Sequence, residues 1–169
     1  MRERYDIWRP PPASFNEIGD PDDRSFPVGV LRDCRDALVL FAQAWYGMQD
    51  GYYVAKAGLR GTCVDLRDHN YADMRELYPE GWEFVQADVY EFVEDTERTW
   101  DVVTVDCPSG HFQRCADLLP ELCSLATRAV VLGSGAETRV TVPGGWVQTS
   151  RNLRSTMYGG VYWTVLERA

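Results

Sequence analysis

This 169-residue chain shows no long apolar run, no pattern typical of a signal peptide and no cysteine pattern typical of a disulfide framework. No apolar stretch approaches the roughly 20 residues that cross a bilayer. The N-terminal MRERYDIWRPPP lacks the apolar segment of a signal peptide. The five cysteines are odd in number and scattered, so a disulfide scaffold is not expected. These absences predict a cytoplasmic protein without a membrane span, with reduced and mostly buried thiols.

Lysine is almost absent, because Lys56 stands alone against sixteen arginines. The net charge of −9 is uneven, with −12 in residues 1–127 and +3 in residues 128–169. An acidic body argues against non-specific nucleic-acid binding. The basic end, with Arg139, Arg151 and Arg154, remains a candidate surface for an anionic group on a substrate.

Regular structure is not expected in residues 1–27, where prolines disfavour helix and central strand. This segment is interpreted as an N-terminal arm or as a lid, because Trp8, Phe15 and Phe26 need apolar cover. Residues 28–169 are long enough for one domain with a substantial core.

The stretch 37–66 has the order typical of a nucleotide-binding βαβ unit. An apolar strand over 37–42 leads into a loop with Gly47 and Gly51. A helix over about 50–57 and a strand over 62–66 follow, and Asp65 lies at the end of that strand. Glycines let the backbone approach a ligand closely, and an acid at this point binds ribose hydroxyls.

A helix is the alternative interpretation of the first strand. Apolar residues recur at a spacing of three and four through this region, at Leu31, Cys34, Leu38, Phe41, Trp45 and Met48. We favour the strand, since the run ALVLFA is apolar on both faces, as a central parallel strand must be.

Strands and helices alternate through the rest of the chain. Helices are predicted over 70–78, 89–96 and 111–126, the last interrupted by Pro120, and strands over 83–88, 101–106 and 128–134. Strands over 146–153 and 161–167 form a closing hairpin. The predicted fold is α/β, a doubly wound and mostly parallel sheet with a C-terminal antiparallel hairpin.

Three acids follow three of these strands, namely Asp65, Asp88 and Asp106. The carboxyl ends of parallel strands meet at one edge of the sheet, where ligands bind. The loop over 43–51 reaches the same edge, so four segments are expected to form one cleft.

Over residues 37–169 the chain resembles the class I S-adenosylmethionine-dependent methyltransferases, which have a Rossmann-like fold. In the loop WYGMQDG, Gly47 and Gly51 match the first and third glycines of that family. Gln49 stands where the central glycine would be, and Trp45 stands where the family has an acid. The resemblance implies that Gln43, or the backbone near Trp45, holds the ammonium group of the cofactor. An NAD site fits less well, because the spaced glycine triplet is missing.

The resemblance also implies roles for the three acids. Asp65 in TCVDL would bind both ribose hydroxyls, and Asp88 in FVQAD would receive the adenine amino group. Asp106 in DCPS would lie next to the transferred methyl group. DCPS is only distantly similar to the D-P-P-Y motif of enzymes that methylate amino groups of bases.

Methyl transfer needs positioning and exclusion of water, and it needs a base only if the acceptor loses a proton. Asp106 is the leading candidate for orienting the acceptor or taking its proton, and His111 is the second. Cys107, His111 and Cys115 have metal-like spacing but lack an evident fourth ligand, so no metal site is expected.

The sequence therefore predicts a methyltransferase that uses S-adenosylmethionine, with a small molecule slightly favoured over nucleic acid or protein as acceptor. The altered glycine loop motivates an alternative, a domain of the same fold that has lost catalysis and acts as a binding or scaffold module. The sequence leaves the oligomeric state open.

Overall fold

The computed structural model describes residues 26–43, 45–68, 71–107, 110–134, 139–154 and 162–169. Most of the predicted arm, and the Gly159–Gly160 turn of the hairpin, lie outside these residues. The described elements are a 3-10 helix Val28–Leu31, β1 Asp36–Leu40, α1 Trp45–Lys56, β2 Arg60–Asp65, α2 Tyr71–Leu77, β3 Trp82–Gln86, α3 Val89–Asp95, β4 Trp100–Asp106, α4 Phe112–Asp117, α5 Leu119–Leu125, β5 Ala126–Ser134, β6 Trp146–Arg154 and β7 Tyr162–Arg168.

All seven strands form one sheet in the order β3-β2-β1-β4-β5-β7-β6. Strands β1 to β5 pair in parallel, while β7 runs antiparallel to both β5 and β6. The predicted doubly wound sheet and its closing antiparallel pair are therefore confirmed. The order reverses between β1 and β4, which creates a crevice at the carboxyl edge of the sheet.

Strand β1 lies in the interior of the sheet, between β2 and β4, and the helical alternative for this segment is wrong. Its residues Ala37, Leu38, Val39 and Leu40 are all buried, because layers of the core cover both faces. Ala37 and Val39 belong to the core beneath α1 and α2, whereas Leu38 and Leu40 belong to the core beneath α3, α4 and α5. A segment that is apolar on both faces is satisfied only in a central strand.

The predicted loop over 43–51 is the main error in the predicted secondary structure. Helix α1 begins at Trp45, so the positions of Gly47 and Gly51 are helical. Glycine costs a helix about 1 kcal/mol relative to alanine, which is why the sequence favoured a loop here. At Gly51 packing explains the residue, since an added Cβ would collide with the hydroxyl of Tyr78.

Two smaller features of the fold agree with the sequence. The helix predicted over 111–126 is divided into α4 and α5, and Pro120 lies in the first turn of α5, where its missing N–H is tolerated. Phe26, at the end of the predicted arm, is 1% exposed and packs edge-on against Trp163 at 5.3 Å. The chain is thus anchored to the core just before the domain begins.

Candidate functional site

The carboxyl ends of β1, β2 and β4, where the strand order predicts a ligand crevice, carry most of the predicted site residues. Asp65 is the last residue of β2 and Asp106 the last of β4. Helix α1 starts shortly after β1 and packs against both β1 and β4. The parallel register places these chain ends side by side.

Asp65 is 7% exposed and is held by two backbone amides. The N–H of Gln43 donates to Oδ2 at 2.9 Å, and the N–H of Arg67 donates to Oδ1 at 3.0 Å. A carboxylate has about four acceptor positions, so each oxygen retains one for a further donor. The arrangement fixes the carboxylate and ties the end of β2 to the segment that follows β1.

Gln43 is buried, and its side chain is directed toward α2. Its Nε2 donates to the sulfur of Met74 at 3.3 Å. Its contribution at the edge of the cleft is the backbone amide on Asp65. Trp45 and Gly47 occupy the first turn of α1, where backbone N–H groups have no intrahelical acceptor.

Asp88 lies beyond the end of β3 rather than within it, since β3 ends at Gln86. It is the N-cap of α3, and its Oδ1 accepts from the N–H groups of Tyr90 at 2.8 Å and Glu91 at 3.3 Å. The predicted strand therefore ended two residues too late, because an N-cap also places an acid before a helix. The capping bonds use Oδ1, and the residue is half-buried at the same edge of the sheet.

Asp106 is 3% exposed, and its Oδ2 has no hydrogen-bond partner among the described residues. Burial raises its pKa to about 8. A second acid, Asp50 of α1, is also 3% exposed and accepts from the hydroxyl of Thr104 at 3.4 Å. Burial and the neighbouring Asp106 raise the pKa of Asp50 well above its usual range. We call these two residues the acidic pair, and burial favours the protonated form of both carboxyl groups.

Space for the acidic pair comes from Gly133 on β5, which lies opposite Asp106 in the sheet. A Cβ at this position would lie 2.7 Å from the ring of Trp163 and 3.0 Å from Cγ of Asp106. Such distances are below normal contact, so only glycine allows the ring and the carboxyl group to pack here.

His111 directly precedes α4 and lies against two aromatic rings. Its Nδ1 is 2.8 Å from the hydroxyl of Tyr90, and its ring meets Phe41 edge-on at 6.1 Å. Phe41 follows β1 with a φ of 55°, a left-handed conformation that is unusual for a bulky residue. Arg114 covers Tyr90, with its guanidinium carbon 3.5 Å from the ring centroid. We call Phe41, Tyr90 and His111 the aromatic group.

Sequence reasoning missed Asp50, Phe41 and Tyr90. The sequence predicts Asp50 at the start of the helix over about 50–57, and the apolar YYVA that follows Gly51 is the only local signal of an enclosed position. Tyr90 lies two residues after Asp88 and was counted as helix only. Nothing in the sequence marks the backbone conformation of Phe41.

The sheet order, the closing antiparallel pair and the cleft above β1 and β4 define the fold of class I S-adenosylmethionine-dependent methyltransferases. Three solved structures illustrate the likeness. Magnesium protoporphyrin IX methyltransferase (ChlM) from Synechocystis PCC 6803, with bound S-adenosylmethionine, superposes with a TM-score of 0.56 at 13% identity, over 84% of this chain and 76% of ChlM. N-methyltransferase NodS from Bradyrhizobium japonicum WM9 superposes with a TM-score of 0.56 at 12% identity, over 83% of this chain and 93% of NodS.

An rRNA methylase from Escherichia coli superposes with a TM-score of 0.53 at 13% identity, over 80% of this chain and 58% of the methylase. At sequence level neither a protein-family profile nor a curated protein matches. The likeness therefore establishes the fold. Within the described residues, no helix has the length and apolar character needed to cross a membrane.

Proposed function

We propose that this protein is a methyltransferase that binds S-adenosylmethionine in the cleft above β1, β2 and β4. The observation that carries the proposal is Asp65, a carboxylate fixed by two backbone amides with one acceptor position left on each oxygen. Two neighbouring ribose hydroxyls match two such positions. In methyltransferases of this fold an acid at the end of the second strand has this role.

The adenine end of the cofactor is assigned to the region of Asp88. Its capping bonds use Oδ1, which leaves Oδ2 to accept from the exocyclic amino group. The ammonium group of the methionine part is assigned to the segment around Gln43 and Trp45. Gly47 lies in the first turn of α1 on that side, whereas Gly51 packs in the interior and is not assigned to the cofactor.

The reacting end is assigned to Asp106 and His111. Methyl transfer from the sulfonium is an in-line displacement, so the chief tasks are to align the acceptor and to exclude water. With the Nδ1 proton of His111 donated to the oxygen of Tyr90, Nε2 carries the lone pair that removes a proton from the acceptor. Asp106, closer to the sheet, orients the acceptor.

A small molecule is the favoured acceptor. The structural neighbours include methyltransferases described for a magnesium porphyrin and for rRNA, so the fold alone does not decide. Residues 1–127, which hold all the assigned site residues, carry a net charge of −12. A net negative charge of this magnitude opposes the approach of nucleic acid.

A binding module without catalysis is the second candidate, and the early start of α1 favours it. The glycine loop that wraps the methionine part in this family is replaced here by a helix from Trp45 onward. This change leaves less flexible backbone for cofactor contacts.

Calorimetric titration with S-adenosylmethionine and S-adenosylhomocysteine tests the proposal, which expects one site per chain for both ligands. Absence of heat and of a thermal shift at millimolar ligand would reject it. Transfer of a labelled methyl group to a pool of small amines, hydroxyls and carboxylates then distinguishes the two candidates. Binding without transfer to this pool or to RNA and protein substrates supports the module.

A further inference from the structure

The acidic pair is buried, and the methyl-transfer chemistry above uses only one of its members, Asp106. Asp106 ends β4 at the point where the sheet order reverses. Asp50 on α1 is its electrostatic neighbour and accepts a hydrogen bond from Thr104, two residues before Asp106 on the same strand. Both side chains are 3% exposed, and Oδ2 of Asp106 lacks a hydrogen-bond partner among the described residues. A buried carboxyl oxygen without a partner is costly unless the group is neutral or meets a positive charge.

Among the described residues, the groups that face the pair do not supply such a charge. Burial and the neighbouring Asp106 raise the pKa of Asp50, while the hydrogen bond from Thr104 lowers it. Burial raises the pKa of Asp106. The other titratable neighbours are thiols and a phenol, namely Cys107 after β4, Cys115 on α4 and Tyr78 after α2. Burial, with a smaller contribution from the pair, raises the pKa values of Cys107 and Tyr78, which favours their neutral forms.

In the binding mode proposed above, the reacting end of the cofactor lies beside Asp106, so the two ligands of a methyltransferase would differ there by one positive charge. S-adenosylmethionine carries a sulfonium, whereas S-adenosylhomocysteine carries a neutral thioether. An ionised pair attracts the sulfonium, and a protonated pair does not.

We propose that the acidic pair is a charge-sensing subsite, which releases a proton when S-adenosylmethionine binds and keeps it when S-adenosylhomocysteine binds. The inference rests on the proposed function and adds to it a means of telling cofactor from spent product. In the proton balance, the protonated pair and the sulfonium cation give an ion pair and one proton in solvent. Raising the pH therefore strengthens binding of the cofactor and has less effect on the product.

The experiment measures the dissociation constants of both ligands between about pH 6.5 and about pH 8.5. Release of one proton tightens binding by up to about tenfold per pH unit. We expect the affinity for S-adenosylmethionine to rise at least about tenfold over this range, and several-fold more than the affinity for S-adenosylhomocysteine. Calorimetry in buffers of different ionisation enthalpy gives the number of protons released.

The key variant is Asp50→Asn/Asp106→Asn, which keeps the shape of both side chains and removes their titration. It should lose the difference in pH dependence between the ligands, while Asp95→Asn, an exposed residue at the end of α3, should retain it. The ionisation of the ligands' own amino groups is the same whichever protein is used. A difference in pH dependence between the wild type and the variant therefore reports the acidic pair. If the double variant does not fold, Asp106→Asn alone should reduce the difference.

The outcomes separate the two proposals. Equal pH dependence for both ligands in the wild type, or an unchanged difference in the folded variant, would overturn the subsite and leave the proposed function intact. Failure of both ligands to bind the wild type would overturn both proposals.

Discussion

An enclosed carboxyl group such as that of Asp106 prefers to be protonated, because burial removes the water that would stabilise its charge and no donor among the described residues reaches its Oδ2. Its pKa of about 8 in the folded protein compares with 3.8 when it is unperturbed. Between these values the folded state holds a proton that the unfolded state has lost. Stability from this group is therefore complete below about pH 4 and declines as the pH rises toward 8.

Asp106→Asn should remove this decline. We expect the variant to gain stability relative to the wild type as the pH rises from about 5 to about 8, since an amide does not ionise. Urea unfolding at several pH values measures the difference, and Asp95→Asn serves as the exposed control. A difference that does not change with pH would show that Asp106 is ionised in the folded protein throughout this range.

Asp65→Asn should weaken binding of S-adenosylhomocysteine by about 10- to 100-fold. The substitution keeps the size of the side chain but removes its charge, and hydrogen bonds to charged groups contribute about 1.5–3 kcal/mol each. Calorimetry provides the measurement. Asp68→Asn, at an exposed position three residues further, should bind as the wild type does. Equal affinity in the two variants would place the ribose elsewhere.

Helix α1 shows how an element can be misjudged from local signals. Two glycines and a resemblance both indicated a loop, yet the helix from Trp45 buries Tyr52 and Val54 against the sheet. The burial of this apolar face outweighs the low helix propensity of glycine. The sequence did show that a helix follows β1. Its first turn could not be placed, because the packing of α1 against the sheet, which outweighs the glycines, is a tertiary contact that the local sequence does not show.

Gly51→Ala should destabilise the protein by about 1–3 kcal/mol, although alanine is the better helix former. The added methyl group meets the Tyr78 hydroxyl, and the Tyr78 ring is confined by Trp82 at 4.8 Å and Phe84 at 5.4 Å. The matched variant Gly29→Ala meets no atom within 4 Å and should be nearly neutral. Chemical denaturation compares the two, and equal effects would contradict the packing role of Gly51.

Strand β1 was easier to predict than α1, because its own residues show that both of its faces are apolar, and no knowledge of neighbouring elements is needed. The same holds for β4 and β5, whose runs VVTV and AVVL are buried in the centre of the sheet. Strand β3 is less enclosed, and its end was predicted two residues late because Asp88 serves as a helix cap. Edges and caps depend on neighbours that a local pattern does not contain.

For the whole molecule, the alternation of strands and helices was sufficient to predict a parallel sheet with a cleft at its carboxyl edge. The positions of Asp65 and Asp106 in that cleft follow from the strand ends alone. The acidic pair and the aromatic group did not follow. Asp50 meets Asp106, and Tyr90 meets His111, only because separate βα units are brought together by the sheet.

The central claim is that this fold retains a working cofactor site despite the altered segment after β1. A crystal structure of the protein soaked with S-adenosylhomocysteine tests it most directly. We predict density at the carboxyl edge of β1, β2 and β4, with both ribose hydroxyls within hydrogen-bond distance of Asp65 and the sulfur near Asp106. An empty cleft at millimolar ligand, or a ligand bound away from Asp65, would contradict the account.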